Sequence, residues 1–281
     1  MKHVETRILI QELETDGHSP MKFICSDGFL YYVKYRSGKS FDKDEINCLV
    51  FEMVCTALLQ RLNVPTPEHA LVTVADGSYA KGQLKANKRY TRPGVIAFGS
   101  KEIPRADLIK EIEVVKKRTE FNRLLNPDDL IRTAIFDLWV DNDDRHADNY
   151  NLLTTMKEGK LQYIAIDHAF AFGGLKGMNI FNEKTPVNPR RKLIQSQYFN
   201  SVVRFIAEKE QLQIIKGFIS LLKELPINDL IDEVFSQIPE QWQISTLLRA
   251  RIIAFLQSEH RLVSLQQTVS LNLIKTKRGK P

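Results

Sequence analysis

The stretch VDNDDRHADNYNLL, residues 140–153, places four Asp, three Asn, one Arg and one His between two apolar ends. Carboxylates crowded this closely repel one another unless cations and hydrogen-bond donors are arranged around them. The sequence on either side shows what holds such a loop in place.

Upstream, Asn126 is a candidate N-cap, Pro127 suits the first helical position, and Asp128 and Asp129 complement the helix dipole. Leu130, Ile131, Ala134, Ile135, Leu138 and Trp139 then recur at helical spacing, so a helix delivers the chain into the polar stretch. Asp137, on the polar side of that helix, reads as a structural hydrogen-bond acceptor. Downstream, YNLL and LQYIAI flank a turn at Gly159 and predict a hairpin. The polar cluster therefore sits on a loop gripped by apolar elements at both ends.

The texture of the chain changes near residues 90–105. Before it, MKFICSDGFLYYVKY predicts two strands around the Asp27-Gly28 turn, and HALVTV and GVIAFG predict two more. One helix interrupts them, with the apolar stripe Ile46, Leu49, Val50, Met53, Val54, Ala57 and Leu58 ending before Pro65 and Pro67. The first part thus reads as a small sheet with one helix. From about residue 190 the chain reads as helical, with Phe205, Phe218, Phe235, Trp242 and Phe255 as aromatic core candidates and no recognisable chemistry. No internal repeat or low-complexity segment is present.

Composition sets the outer bounds. A chain of 281 residues, 43% apolar and 26% charged, can bury one or two cores and does not have the make-up of a disordered protein. The N-terminal region holds only the short apolar run ILI, and nowhere do about 18 apolar residues run together, so a cytoplasmic location is expected. Cys25, Cys48 and Cys55 form no CxxC pattern and read as reduced core thiols. A net charge of +6 is partly concentrated in the tail IKTKRGKP, so nucleic acid is not expected to be the main ligand. The basic string NPRRK, residues 188–192, reads as a solvated loop, with a substrate-binding role as its alternative.

Asp144 precedes Asn149 by five residues, and Asp167 ends the apolar run YIAI 23 residues after Asp144. An amide and a carboxylate meeting at one point supply the oxygens that Mg²⁺ prefers and leave room for phosphate oxygens. A separate carboxylate can then orient or deprotonate a hydroxyl, a division of labour that suits phosphoryl transfer. Two charges in apolar settings fit the same chemistry. Lys34 interrupts the strand FLYYVKY, and Glu52 lies on a helix face beside Cys48, Cys55 and Leu59. Each offers the other a partner, and together they can reach nucleotide phosphates. The sequence DGHSP, with Gly17, His18 and Ser19, precedes the first predicted strand and can present backbone N–H groups to phosphate or form an ordinary turn. The bland alternatives are an Asx-rich turn at 141–149, an edge-strand charge at Lys34, a wet helix border at Glu52 and a satisfied core histidine at His168.

These residues resemble the HipA-like kinase family and, more distantly, the phosphatidylinositol 3- and 4-kinases, over roughly residues 12–175. The likeness rests on DRHADN with the following AIDHAFAFGG, on YYVKY, and on FEMVCTALLQRLNVPTP. It implies that Asp144 is the catalytic base, Asn149 and Asp167 the Mg²⁺ ligands, Lys34 the phosphate-binding lysine and Glu52 its ion-pair partner. Arg145 and His146, matching the family's DRH, would shape the loop or touch phosphate. DHA stands where protein kinases have DFG.

The resemblance implies an α+β, bilobal protein-kinase-like fold. Residues 1–104 would form a nucleotide-binding lobe and residues 105–281 a mostly helical lobe carrying the catalytic and metal-binding loops. It further implies an ATP- and Mg²⁺-dependent kinase acting on Ser or Thr of a protein, with a small-molecule or lipid hydroxyl as another acceptor class. Two other classes fit the residues: a catalytically silent nucleotide-binding module, and a hydrolase with His146, Asp148, Asp167 and His168 around a transition metal.

Overall fold

The computed structural model describes residues 1–15, 19–36, 45–80, 82–110, 114–173 and 181–275. The chain is α+β. Strands β1 (Lys2–Glu12), β2 (Met21–Cys25), β3 (Leu30–Lys34), β4 (His69–Thr73) and β5 (Ile96–Lys101) close into a barrel in the order β1-β2-β3-β5-β4. β6 (Asp107–Leu108), β7 (Leu152–Lys157) and β8 (Lys160–Ala165) form a second, three-stranded sheet.

The hairpins expected from local sequence are present. Gly28, at a φ of 81°, makes the β2–β3 turn, and Glu158-Gly159, at 53° and 74°, make the β7–β8 turn. The small sheet is instead a closed barrel, because residues 2–5 of β1 pair in parallel with residues 70–73 of β4. Closure removes the sheet edges. β1 itself was not expected. Its register slips between Thr6 and Ile8 and again between Leu9 and Gln11, so Val4, Thr6 and Leu9 point inward while Ile8 is exposed. Each bulge shifts the phase of the alternation and hides the strand from a period-two pattern.

Helix α1 (Glu45–Arg61) was expected to bury one stripe, but 14 of its 17 residues are buried. Two layers cover it, which is the condition for a helix apolar nearly all round. Phe51 packs against Phe172 at 4.9 Å and Phe181 at 6.2 Å between ring centroids, and Phe172 in turn meets Phe255 at 5.5 Å. This aromatic cluster ties α1 to the loop after β8 and to the C-terminal helices. Pro65 and Thr66, just beyond α1, bond to the main chain of Ala165 at 2.9 Å each, so the barrel half is also pinned to β8.

After the short helix α2 (Arg118–Phe121), helix α3 (Asp128–Val140) has Pro127, in helical conformation, as its cap residue in place of the expected Asn126; that residue makes no side-chain cap, and the Asn126 carbonyl accepts from Asp129 N–H. It ends at Asp141, which takes the left-handed conformation at a φ of 52° that Asp tolerates better than most residues. Among the described residues the remaining helices are α4 (Gln197–Val203), α5 (Glu208–Glu224), α6 (Ile227–Phe235), α7 (Thr246–Gln257) and α8 (Glu259–Lys275). Of the aromatic core candidates, Phe218, Trp242 and Phe255 are fully buried, whereas Phe205 and Phe235 are half-buried. Trp242 lies in a 3-10 turn, and its indole N–H donates to the Ile96 carbonyl of β5 at 2.7 Å. The C-terminal segment therefore reaches back to the barrel. All three cysteines are buried free thiols, and among the described residues no helix is long and apolar enough to cross a membrane.

Candidate functional site

Lys34, the last residue of β3, is 6% exposed. Its ammonium lies 2.5 Å from Glu52 Oε1 and 2.9 Å from Asp167 Oδ1. Burial opposes its charge, but two adjacent carboxylates outweigh that cost and raise its pKa. Burial likewise pushes Glu52 up against the pull of Lys34. The second Glu52 oxygen accepts the His168 backbone N–H at 2.9 Å. One buried carboxylate thus joins β3, α1 and the loop after β8.

Asp167 leaves β8 in the left-handed region at a φ of 57°. Its side chain stays 31% exposed while Glu52 is 4% exposed, so of the two carboxylates on Lys34 it is the one that meets solvent. In the loop at 141–151, Asn151 Nδ2 donates to Asp144 Oδ2 at 2.9 Å, and Asn142 Oδ1 accepts the Asp144 N–H at 3.2 Å. Burial raises the Asp144 pKa, the facing Asp167 raises it further, and hydrogen bonds from Asn149 and Asn151 oppose both. Asp144 therefore stands close to Asp167 and Asn149. His146 and Asn149 exchange backbone hydrogen bonds of 2.9 and 3.1 Å, which close the loop tip.

Arg145 does not reach the solvent side of this loop, since its side chain is fully buried and cannot touch phosphate. Its guanidinium donates to Asp137 Oδ1 at 2.5 Å, to the Ile166 carbonyl at 2.5 Å, and to the Tyr150 and Asn151 carbonyls at 3.1 and 3.3 Å. Its place is structural: it binds α3, the loop at 141–151 and the end of β8 to one centre. Asp137 has no exposed surface either, so the polar side of α3 faces Arg145 and not water.

Of the remaining expected site residues, Ser19 is buried and its N–H donates to Thr15 Oγ1 at 3.0 Å, whereas Gly17 and His18 lie outside the described residues. The DGHSP segment does not precede the first strand. It links β1 to β2, with Leu13 N–H donating to the Pro20 carbonyl at its base.

His168 is 1% exposed, with Nε2 3.3 Å from both terminal nitrogens of Arg145 and its ring edge-on to Phe136. It is a satisfied core histidine. No group of three or more His, Cys, Asp or Glu among the described residues forms a metal-ligand set, so the four-residue hydrolase centre does not assemble. Burial and then the Arg145 charge hold His168 well below the usual histidine range. A base whose folded pKa is depressed contributes stability that is present above the unfolded value of about 6.5 and lost as pH falls toward the folded value. The melting temperature is therefore expected to drop between pH 7 and 5, and His168→Phe should flatten that drop in a thermal melt series. Parallel curves would remove His168 from the acid response.

Sequence patterns missed four supports. Asn142 and Asn151 lie inside the quoted stretch and were legible only as polar. Lys192 was read as part of a solvated loop but is 4% exposed, and its ammonium bonds Asp141, Asn142 and Asp143. Arg261 of α8 is 1% exposed and donates to the Trp139 carbonyl at 2.9 Å and to that of Thr185, so it caps the end of α3 that feeds the loop.

The fold is similar to that of the Helicobacter pylori proinflammatory kinase CtkA, at 12% identity and a TM-score of 0.55, with 96% of each chain covered. It is also similar to hydra Fam20 solved with sugar, at 14% identity and a TM-score of 0.51, covering 98% of this chain and 87% of that one. No curated protein matches the sequence. Residues 9–263 match the family described as HipA-like kinase, a span that extends well past residue 175, where the motif resemblance stops, and the chain accordingly belongs to the HipA-like kinase family.

Proposed function

We propose that the protein is a bilobal, protein-kinase-like enzyme that transfers the γ-phosphoryl group of ATP, with Mg²⁺, to a Ser or Thr hydroxyl of a protein. Family membership makes it a phosphotransferase. The observation that carries the rest is the Lys34 ammonium held between Glu52 and Asp167, with Asp144 facing Asp167 across the loop. In this proposal residues 1–104 hold the nucleotide and residues 105–281 carry the chemistry.

The donor set suits a hard divalent cation. Asp144 and Asp167 face each other as like charges beside an amide, an arrangement that a cation relieves and that leaves positions for phosphate oxygens. Asn149 and Asp167 are the groups that would hold Mg²⁺. When bound, Mg²⁺ neutralises charge on the β- and γ-phosphate oxygens. Lys34 adds fixed positive charge at the same place, and Glu52 orients it.

Asp144 accepts the proton of the acceptor hydroxyl while that oxygen attacks the γ-phosphorus. The bond to the bridging oxygen breaks and ADP leaves. Burial, the largest cause of the raised Asp144 pKa, makes this carboxylate a stronger base than an exposed Asp. Asn142 and Asn151 keep it aimed.

Mg²⁺ and ATP at about 100 times the dissociation constant should stabilise the protein by about 2.7 kcal/mol. Asp167→Asn is expected to abolish most of the thermal shift and to leave the melting temperature without ligand close to wild type. A variant that keeps the full shift would remove Asp167 from the metal site, and a wild type that shifts but never turns over would favour the silent nucleotide-binding module.

A further inference from the structure

We propose that Lys192 is a positioning residue for the catalytic loop, locking the segment 181–192 onto the residues that carry Asp144. This assignment rests on the phosphotransferase proposal above and goes beyond it. The residue lies 48 positions after Asp144 in the sequence, inside NPRRK.

An ammonium group has three protons, and each here has an acceptor. Lys192 Nζ lies 2.8 Å from Asp141 Oδ1, 2.9 Å from the Asn142 carbonyl and 2.7 Å from Asp143 Oδ1. These are the three residues leading into Asp144. Asp141 already sits in a left-handed conformation at the end of α3, so the chain turns sharply where Lys192 grips it. The same turn is held from a second side by the loop after β8. The Phe170 carbonyl accepts from Asp143 N–H, and the Phe172 and Gly173 N–H groups donate to the carbonyls of Val140 and Asp141.

The contrast with the neighbouring arginine identifies the strong link. Arg191 also approaches the loop, but its Nη2 is 3.9 Å from Asp148 Oδ2 and the two side chains are 84% and 73% exposed. An exposed pair at that distance contributes little, whereas Lys192 is buried and charge-assisted. Lys192 therefore acts through the Asp141 and Asp143 carboxylates and the Asn142 carbonyl, and its ammonium bonds are to these three residues and not to Lys34, Glu52 or Asp167. It sets where Asp144 stands relative to the acceptor and leaves the nucleotide site alone. A misplacement of about 1 Å costs a reacting group roughly 100-fold in rate.

The test is steady-state ADP release by the full chain with Mg²⁺, ATP and dephosphorylated casein as the Ser/Thr acceptor, run beside thermal melts with Mg²⁺ and ADP. Lys192→Met is expected to lower kcat by about 10- to 100-fold with KM for ATP within about twofold of wild type, and to keep the ligand-induced thermal shift. Asp143→Ala removes one grip from a half-exposed side chain, leaves Lys192 paired to Asp141, and should lower kcat by roughly 3- to 10-fold with the same unchanged KM. It decides the matter if Lys192→Met does not fold. A kcat at the wild-type level in either folded variant overturns the assignment. So does a parallel loss of kcat and ADP-induced shift, which marks a merely structural role. Wild-type protein that releases no ADP overturns the phosphotransferase proposal and the Lys192 assignment together, whereas active wild type with an equally active Lys192→Met overturns only the latter.

Discussion

Asp144→Asn is expected to lower phosphoryl transfer by about 10²- to 10⁴-fold, the range a positioned general base contributes. Mg²⁺–ATP binding should remain within about twofold of wild type, because the groups proposed to hold the ligand are untouched. The backbone N–H at 144 still donates to Asn142 Oδ1, and the new amide oxygen can still accept from Asn151 Nδ2, so the loop geometry survives the exchange. The wild-type pH profile adds a second readout. Burial and the facing Asp167 raise the Asp144 pKa, so kcat/KM should fall on the acid side at a higher pH than an exposed carboxylate would give. That acid limb should vanish from the residual activity of the variant. Full transfer by Asp144→Asn, measured as phosphate incorporated into a protein acceptor, would remove it as the base.

The second large effect concerns stability. Asp137→Ala should destabilise the fold by about 3–5 kcal/mol, because it leaves the Arg145 guanidinium buried without its counter-charge. For a chain of this size the melting temperature should then drop by roughly 10 °C. Asp137→Asn keeps an acceptor oxygen for Arg145 and a partner for Asn142 Nδ2, so its loss should be smaller. Both follow from thermal or urea unfolding without any ligand. An Asp137→Ala melt within a few degrees of wild type would show that Arg145 is held by the carbonyls of Tyr150, Asn151 and Ile166 alone.

The two predictions separate chemistry from scaffold inside a single stretch of chain. Asp144 and Asn149 are partly exposed, whereas Arg145 between them points into the core. A motif match alone places DRH together as one catalytic unit. The side chains divide it, because a loop this acidic needs an interior cation to hold its shape before it can present a base.

Much of the candidate site was legible in the sequence for a local reason. The stretch 140–153 stood out because its polar residues interrupt apolar runs whose periods announce a helix before it and a hairpin after it. Lys34 and Glu52 could be paired in advance, since a charge in an apolar strand and one on an apolar helix face each need a partner, and the structure joins them at 2.5 Å. The single-helix, mostly stranded first part and the helical last part follow from the same periodicities.

What only the tertiary structure decided depends on distance along the chain. The sheet becomes a barrel through the parallel pairing of residues 2–5 with 70–73, and two bulges in β1 erase the alternation that would have revealed the strand. Lys192 reads as one more charge in a basic string until the fold brings it onto Asp141 and Asp143, about fifty residues back. Arg261 gains its role at the end of α3 in the same way, 122 residues from Trp139. Sequence periodicity records which face of an element is apolar, so it determined the elements and the loop between them. It does not record which distant backbone or buried charge will cover that face, and that choice was made by the packing of the whole chain.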